Sequence, residues 1–224
     1  MPGRLHHKYP LWVRMTHWIN GPVLLIMIWS GLLIYWAHDE YAIRIGDFTL
    51  VKFFPEWFYR VLHLERQLAV GLAWHFLFMW LFLLNGLVYF GFTFWSGAWR
   101  DLIPNRRTPR QALQTVLHDL RIRKEPPEMD GKYNGAQRLA YTGTLMMGIG
   151  SIVTGLAIWK PVQLGWITWM LGGYSLARVW HFMLVLGYVS FFLVHITQVI
   201  RAGWNHARAM ITGYEYQSTP EQSA

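Results

Sequence analysis

Between Arg178 and Arg201 the chain runs for 22 residues, Val179 to Ile200, without a charge. As helix that is roughly 33 Å, enough to cross a hydrocarbon core about 30 Å thick. Two histidines, His181 and His195, sit inside it, fourteen residues apart. Fourteen steps of about 100° fall roughly 40° short of four full turns, so both imidazoles leave one side of the helix, about 21 Å apart along its axis. Ionisable side chains at membrane depth are costly and mark functional sites by default. Two on one face point to two stacked metal or cofactor sites.

Three more uncharged runs accompany this one: Met15–Ala37 with His17, Gln67–Trp95 with His75, and Leu139–Trp159 with no histidine. Charged residues make up only 14% of the 224, against about 25% in soluble domains. The expectation is an all-α membrane protein, a single domain over 1–224 built as a four-transmembrane-helix bundle with spans at 15–37, 67–95, 139–159 and 179–200. The first run is longer than the 7–15 apolar residues of a signal peptide and ends in Tyr35-Trp36 instead of a small-residue cleavage site, so it reads as a retained span. Pro22 is expected to kink its first turns. There is no cysteine, which excludes disulfides, thiolate-ligated clusters or zinc, and covalent haem attachment. Metal chemistry must then run through histidine.

The net charge of +8 follows the membrane pattern and does not call for nucleic acid. The N-terminal segment, residues 96–138 and the C-terminal side hold 14 Lys and Arg, the two opposite connections only 6. The positive-inside rule therefore puts both termini in the cytoplasm. Trp12, Trp18, Trp36, Trp95, Trp159 and Trp204 lie near span ends, as interfacial belts require. The aromatic connection 38–66 reads as interfacial or as resting on a partner. Thr108-Pro109 opens a basic amphipathic helix, about 109–123, with Ala112, Leu113, Val116, Leu117 and Leu120 on one face; it is expected on the inner membrane surface, or docked on a cytoplasmic subunit. Residues 160–178 read as a short link, and the tail from Asn205 to Ala224 as fraying after a turn or two. No internal repeat is visible.

This orientation gives each histidine a depth. His17 and His195 fall near the inner face, His75 and His181 near the outer face. Each pair, drawn from different helices, can hold an iron between two imidazoles. Haem, flat and largely apolar, suits such axial ligands in a helical bundle. With both axial positions filled, such an iron moves electrons and does not bind oxygen. The competing reading, four histidines as hydrogen-bonded core residues, does not account for two depth-matched pairs. His63 is an alternative outer ligand, but it lies among Arg60, Glu65 and Arg66, outside the apolar run. His6, His7, His38, His118 and His206 lie in tails or connections. Arg14 and Arg178 each stand three residues before a candidate ligand, on the same helix face. Both suit haem propionates, and Arg14 equally suits a positive-inside anchor. Gly71 and Gly21, four residues from His75 and His17, clear space either for a porphyrin or for helix packing.

The pattern resembles the prokaryotic four-helix di-haem cytochrome b family, which includes the b-type cytochrome subunits of nickel–iron hydrogenases and formate dehydrogenases. Arg14-x-x-His17-Trp18, His75-Phe76 and the His181/His195 spacing carry the resemblance. Trp159-Lys160-Pro161 followed by Gly172-Gly173-Tyr174-Ser175-Leu176-Ala177-Arg178 is most similar to its thiosulfate-reductase-type branch. The resemblance implies a bacterial inner-membrane subunit with two non-covalent, bis-histidine haem b groups. It also implies a periplasmic, molybdopterin-dependent oxidoreductase as partner, with electrons exchanged with membrane quinone near His17 and His195. The alternatives are a stand-alone cytochrome b of this fold, acting as superoxide:quinone oxidoreductase or ferric reductase, and a histidine-based metal transporter without haem.

Overall fold

The computed structural model describes residues 4–37, 41–45, 47–126 and 131–217; His38, Asp39, Glu40 and Pro127 lie outside them. In chain order the elements are β1 (Arg4–His7), α1 (Leu11–Tyr35), β2 (Ala42–Ile45), β3 (Phe48–Lys52), α2 (Glu56–Val61), α3 (Leu68–Trp95), α4 (Trp99–Leu102), α5 (Thr108–Asp119), α6 (Gly135–Trp159), α7 (Gly165–Met170), α8 (Tyr174–Ala202), α9 (Trp204–Thr212) and β4 (Tyr214–Gln217). Four helices, α1, α3, α6 and α8, are long and apolar enough to cross a membrane. They overlap the four expected spans: α1 and α6 each start four residues earlier, α8 reaches further at both ends, and α3 falls within its expected run. The chain is mostly helical, with two short antiparallel ribbons that the sequence reading did not anticipate, β1 with β4 and β2 with β3. It forms two compact units, residues 12–89 and residues 1–11 with 90–224.

In the first unit α1 and α3 meet where Gly71 faces α1. A Cβ on Gly71 would lie 2.7 Å from Leu33 Cβ and 3.0 Å from the Ser30 carbonyl oxygen. Here the glycine serves helix packing, and Leu33 and Ser30 are fully buried at the contact. Gly71→Ala is expected to force the helices apart and to lower stability by about 1–3 kcal/mol. Thermal unfolding in detergent checks this, with Gly86→Ala as the neutral control, since nothing lies within 4 Å of a Cβ there. In the connection that follows, Tyr35 rings against Tyr41, Phe54 and Tyr59, and Phe54 packs on Phe58. Most of these aromatics therefore pack on each other, while Trp57 stays exposed. Tyr59 is 2% exposed and its hydroxyl has no hydrogen-bond partner among the described residues; burial, with Tyr35 adding to it, pushes its pKa well up.

In the second unit α6 starts at a capping box: the Asn134 side chain accepts from Gln137 N–H, and the Gln137 side chain accepts from Asn134 N–H. Helix α5 packs across this start. The N-cap position, Arg107, makes no side-chain cap bond; Asn105, two residues before it, accepts from the Arg107 and Thr108 amides through its Oδ1. Helix α5 begins at Thr108, one residue before the expected 109, and ends at Asp119, short of 123. Thr108, Gln111, Ala112, Gln114 and Thr115 are buried, whereas Leu113, Val116 and Leu120 are exposed. Most of the apolar face thus points outward, and Ala112 with the polar side chains does the packing. Asp119 ties the far end of α5 to α8 through Gln198 Nε2, at 2.8 Å, and Arg201, at 3.7 Å.

Two sequence expectations need correcting. Residues 160–178 are not a plain link: they contain α7 and the first turn of α8, with Arg178 inside that helix. Gly172 and Gly173 adopt φ of +86° and +98°, a backbone region that L side chains avoid, so they make the turn between the two helices. The described part of the tail does not fray. It forms α9, stops at Gly213 in a left-handed conformation, and pairs as β4 with β1. Glu215 holds the ribbon, accepting from Lys8 Nζ at 2.9 Å and His206 Nε2 at 3.2 Å.

Candidate metal centre

All four histidines of the apolar runs are half-buried on the long helices: His17 in α1, His75 in α3, His181 and His195 in α8. His75 Nδ1 lies 3.0 Å from Ser30 Oγ of α1. His181 Nδ1 lies 2.8 Å from Thr154 Oγ1 of α6. Each hydroxyl also reaches a carbonyl of its own helix, Ser30 Oγ donating to Met27 O at 3.2 Å and Thr154 Oγ1 to Gly150 O at 2.6 Å. A glycine follows each hydroxyl and faces the same ring. A Cβ on Gly31 would lie 3.7 Å from His75 Cε1, and one on Gly155 3.5 Å from His181 Cε1.

These pairs sit at equal registers in two separate helical hairpins. Each hydroxyl lies five residues before the last residue of a 25-residue helix; each histidine lies seven residues after the first residue of the next long helix. Sequence reading found the histidines but missed Ser30 and Thr154, and saw no repeat. The available signal was the hydroxyl–glycine pair, Ser30-Gly31 and Thr154-Gly155, near the end of each apolar run.

His17 sets its ring edge-on to Trp18, with centroids 5.4 Å apart. Beside it, Asn85 Nδ2 of α3 donates to the Thr16 carbonyl at 3.0 Å, a second polar tie in the apolar region that the sequence reading did not single out. His195 stacks on Phe191 at 5.7 Å and 13°. Nothing lies within 4 Å of a Cβ placed on Gly21, one turn beyond His17. Arg14, one turn before His17, buries a Nε that has no hydrogen-bond partner among the described residues. Arg178, one turn before His181, lies over the Tyr174 ring at 5.9 Å. His63 is exposed in the turn before α3, at φ +52°. Among the remaining described histidines, His7 packs on Tyr214, His118 Nδ1 lies 3.2 Å from the Arg123 carbonyl, and His206 pairs with Glu215.

This donor set fits haem b. Imidazole is its usual axial ligand. The His75 and His181 rings lie within van der Waals reach of a Cβ placed on Gly31 and Gly155, and among the described residues nothing lies within 4 Å of one on Gly21 beside His17. The buried N–H of Arg14 suits an anionic propionate.

Comparisons with known proteins agree with this chemistry. Residues 8–213 match the family described as prokaryotic cytochrome b561. A protein of Azospira oryzae named as a protein-methionine-sulfoxide reductase subunit, YedZ1, is 32% identical over 200 residues, covering 89% of this chain and 93% of that one. A protein of Bradyrhizobium diazoefficiens named as a Ni/Fe-hydrogenase B-type cytochrome subunit is 24% identical, covering 87% of this chain and 78% of that one. No solved structure matches significantly. The chain therefore belongs to the prokaryotic cytochrome b561 family, as a multi-pass inner-membrane electron-transfer subunit of a family that binds haem b.

Proposed function

We propose that the protein carries electrons across the membrane between quinone and an extracytoplasmic oxidoreductase, using two haem b groups. His75 and His181 would hold the outer one, His17 and His195 the inner one. The observation that carries this reading is the spacing of His181 and His195 on one uninterrupted helix, α8, together with a histidine in each of α1 and α3. Bound haem supplies a reversible one-electron iron couple. The chain's own residues do the rest. The imidazoles fix the iron, and Arg14 and Arg178 neutralise propionates near His17 and His181. The apolar helices exclude water from the path. Leu113, Val116 and Leu120 of α5 rest in the cytoplasmic leaflet, and both termini lie on that side, in keeping with the pairing of β1 with β4.

Quinone would exchange electrons near His17 and His195. The likeness to a protein named as a methionine-sulfoxide reductase subunit supports a reductase partner outside the membrane, and so electron flow from quinol outward. The thiosulfate-reductase-type motif supports a molybdopterin-dependent partner. The test is purification from its native membrane after mild solubilisation. A co-purifying reductase that oxidises a quinol only when this subunit is present is the expected result. A lone chain that oxidises or reduces a small substrate by itself overturns the subunit reading.

A further inference from the structure

We infer that Ser30 and Thr154 are a matched pair of positioning residues. They fix the tautomer and ring orientation of His75 and His181, and so set the reduction potential of the haem those two histidines hold. The inference rests on the di-haem reading above and goes beyond it by assigning roles to two residues that touch no iron.

The argument turns on where the protons are. A serine or threonine hydroxyl has one proton and two acceptor lone pairs. Thr154 Oγ1 approaches Gly150 O at 2.6 Å, and Ser30 Oγ approaches Met27 O at 3.2 Å. A carbonyl oxygen can only accept, so in each of these contacts the hydroxyl is the donor. The oxygen then turns a lone pair toward the imidazole, 2.8 Å away at His181 and 3.0 Å at His75. With the hydroxyl proton on that carbonyl, the facing nitrogen Nδ1 carries the ring proton, which puts the ring's metal-binding lone pair on Nε2. The other tautomer would leave the hydroxyl to choose between Nδ1 and the carbonyl, and would protonate the nitrogen that has to bind iron.

The same chain of donors also acts on the iron. A hydroxyl already donating to a carbonyl is a stronger acceptor. Hydrogen bonding from the far nitrogen of a ligand histidine raises that ligand's basicity. A more basic imidazole favours ferric over ferrous iron, so the two hydroxyls hold this haem at a lower potential than bare imidazoles would. The device occurs twice, at matching registers in two hairpins. One occurrence is an ordinary core hydrogen bond; two at the same register, each on a candidate ligand, are better explained by the iron they share.

The test is a potentiometric titration of the purified full-length protein, followed at the reduced α-band, for Ser30→Ala, Thr154→Ala and the double variant. Expected: haem content equals that of the parent, and one of two one-electron components becomes easier to reduce. Its ferrous-to-ferric ratio at fixed ambient potential rises about three- to tenfold per variant, the scale of one lost hydrogen bond. Both single variants move the same component, the double variant moves it further, and Ser30→Thr and Thr154→Ser restore the parent value. Unmoved potentials overturn the inference, as do shifts in different components, or haem loss that the hydroxyl-retaining swaps share. A parent protein that binds no haem overturns instead the reading on which the inference stands.

Discussion

His75→Ala is expected to purify with about half the haem of the parent protein and with a single remaining redox component. A non-covalent haem depends on its axial ligands for retention, and His75 sits half-buried in α3 against Ser30. The alanine would leave His181 with no partner across the haem. His17→Ala is expected to remove the other half, and the double variant to bind none. His63→Ala is the informative control. His63 is exposed in a turn at φ +52°, before α3 begins, so its loss should leave haem content unchanged. Haem content per protein, read from the alkaline pyridine spectrum, checks all four. Full haem in His75→Ala with loss in His63→Ala would move the ligand to the turn.

The second large effect is expected at Gly135, and it concerns the fold more than the iron. A Cβ on this residue would lie 2.5 Å from the Ala112 amide nitrogen, 2.6 Å from Gln111 Cβ and 2.7 Å from the Thr108 carbonyl oxygen. Two of the three are backbone atoms of α5, which cannot swing aside as a side chain can. Gly135→Ala must therefore push α5 away from the start of α6 and uncover Thr108, Gln111 and Thr115, all buried there. A loss at the upper end of the about 1–3 kcal/mol range for overpacking is expected. Faster proteolysis within residues 105–134 would report it, while haem content stays at the parent level, because no candidate ligand lies in α5.

How much of this was legible beforehand depends on the range of each signal. The four spans and their histidines were readable because a membrane imposes length and composition on each helix separately. For α5 only one of two working faces was legible. Its apolar stripe was plain, but that Thr108, Gln111 and Thr115 would do the packing depends on Gly135, twenty-seven residues after Thr108. The tail read as fraying because four residues, Tyr214 to Gln217, carry no strand signal until paired with Arg4 to His7. The sequence allows Gly71 two roles, and the 2.7 Å that would separate a Cβ placed there from Leu33 Cβ assigns it to packing. Ser30 and Thr154 went unnoticed because a lone hydroxyl in an apolar helix ordinarily just bonds back to its own turn; what distinguishes these two is the imidazole on the neighbouring helix.

The central claim is two haems per chain, each between two histidines. It is tested most directly by haem stoichiometry and low-temperature EPR on the oxidised, purified protein. The account predicts two haems per chain, both low-spin, with no high-spin signal near g = 6 beyond a trace. One haem per chain, or a stoichiometric high-spin signal, would contradict it.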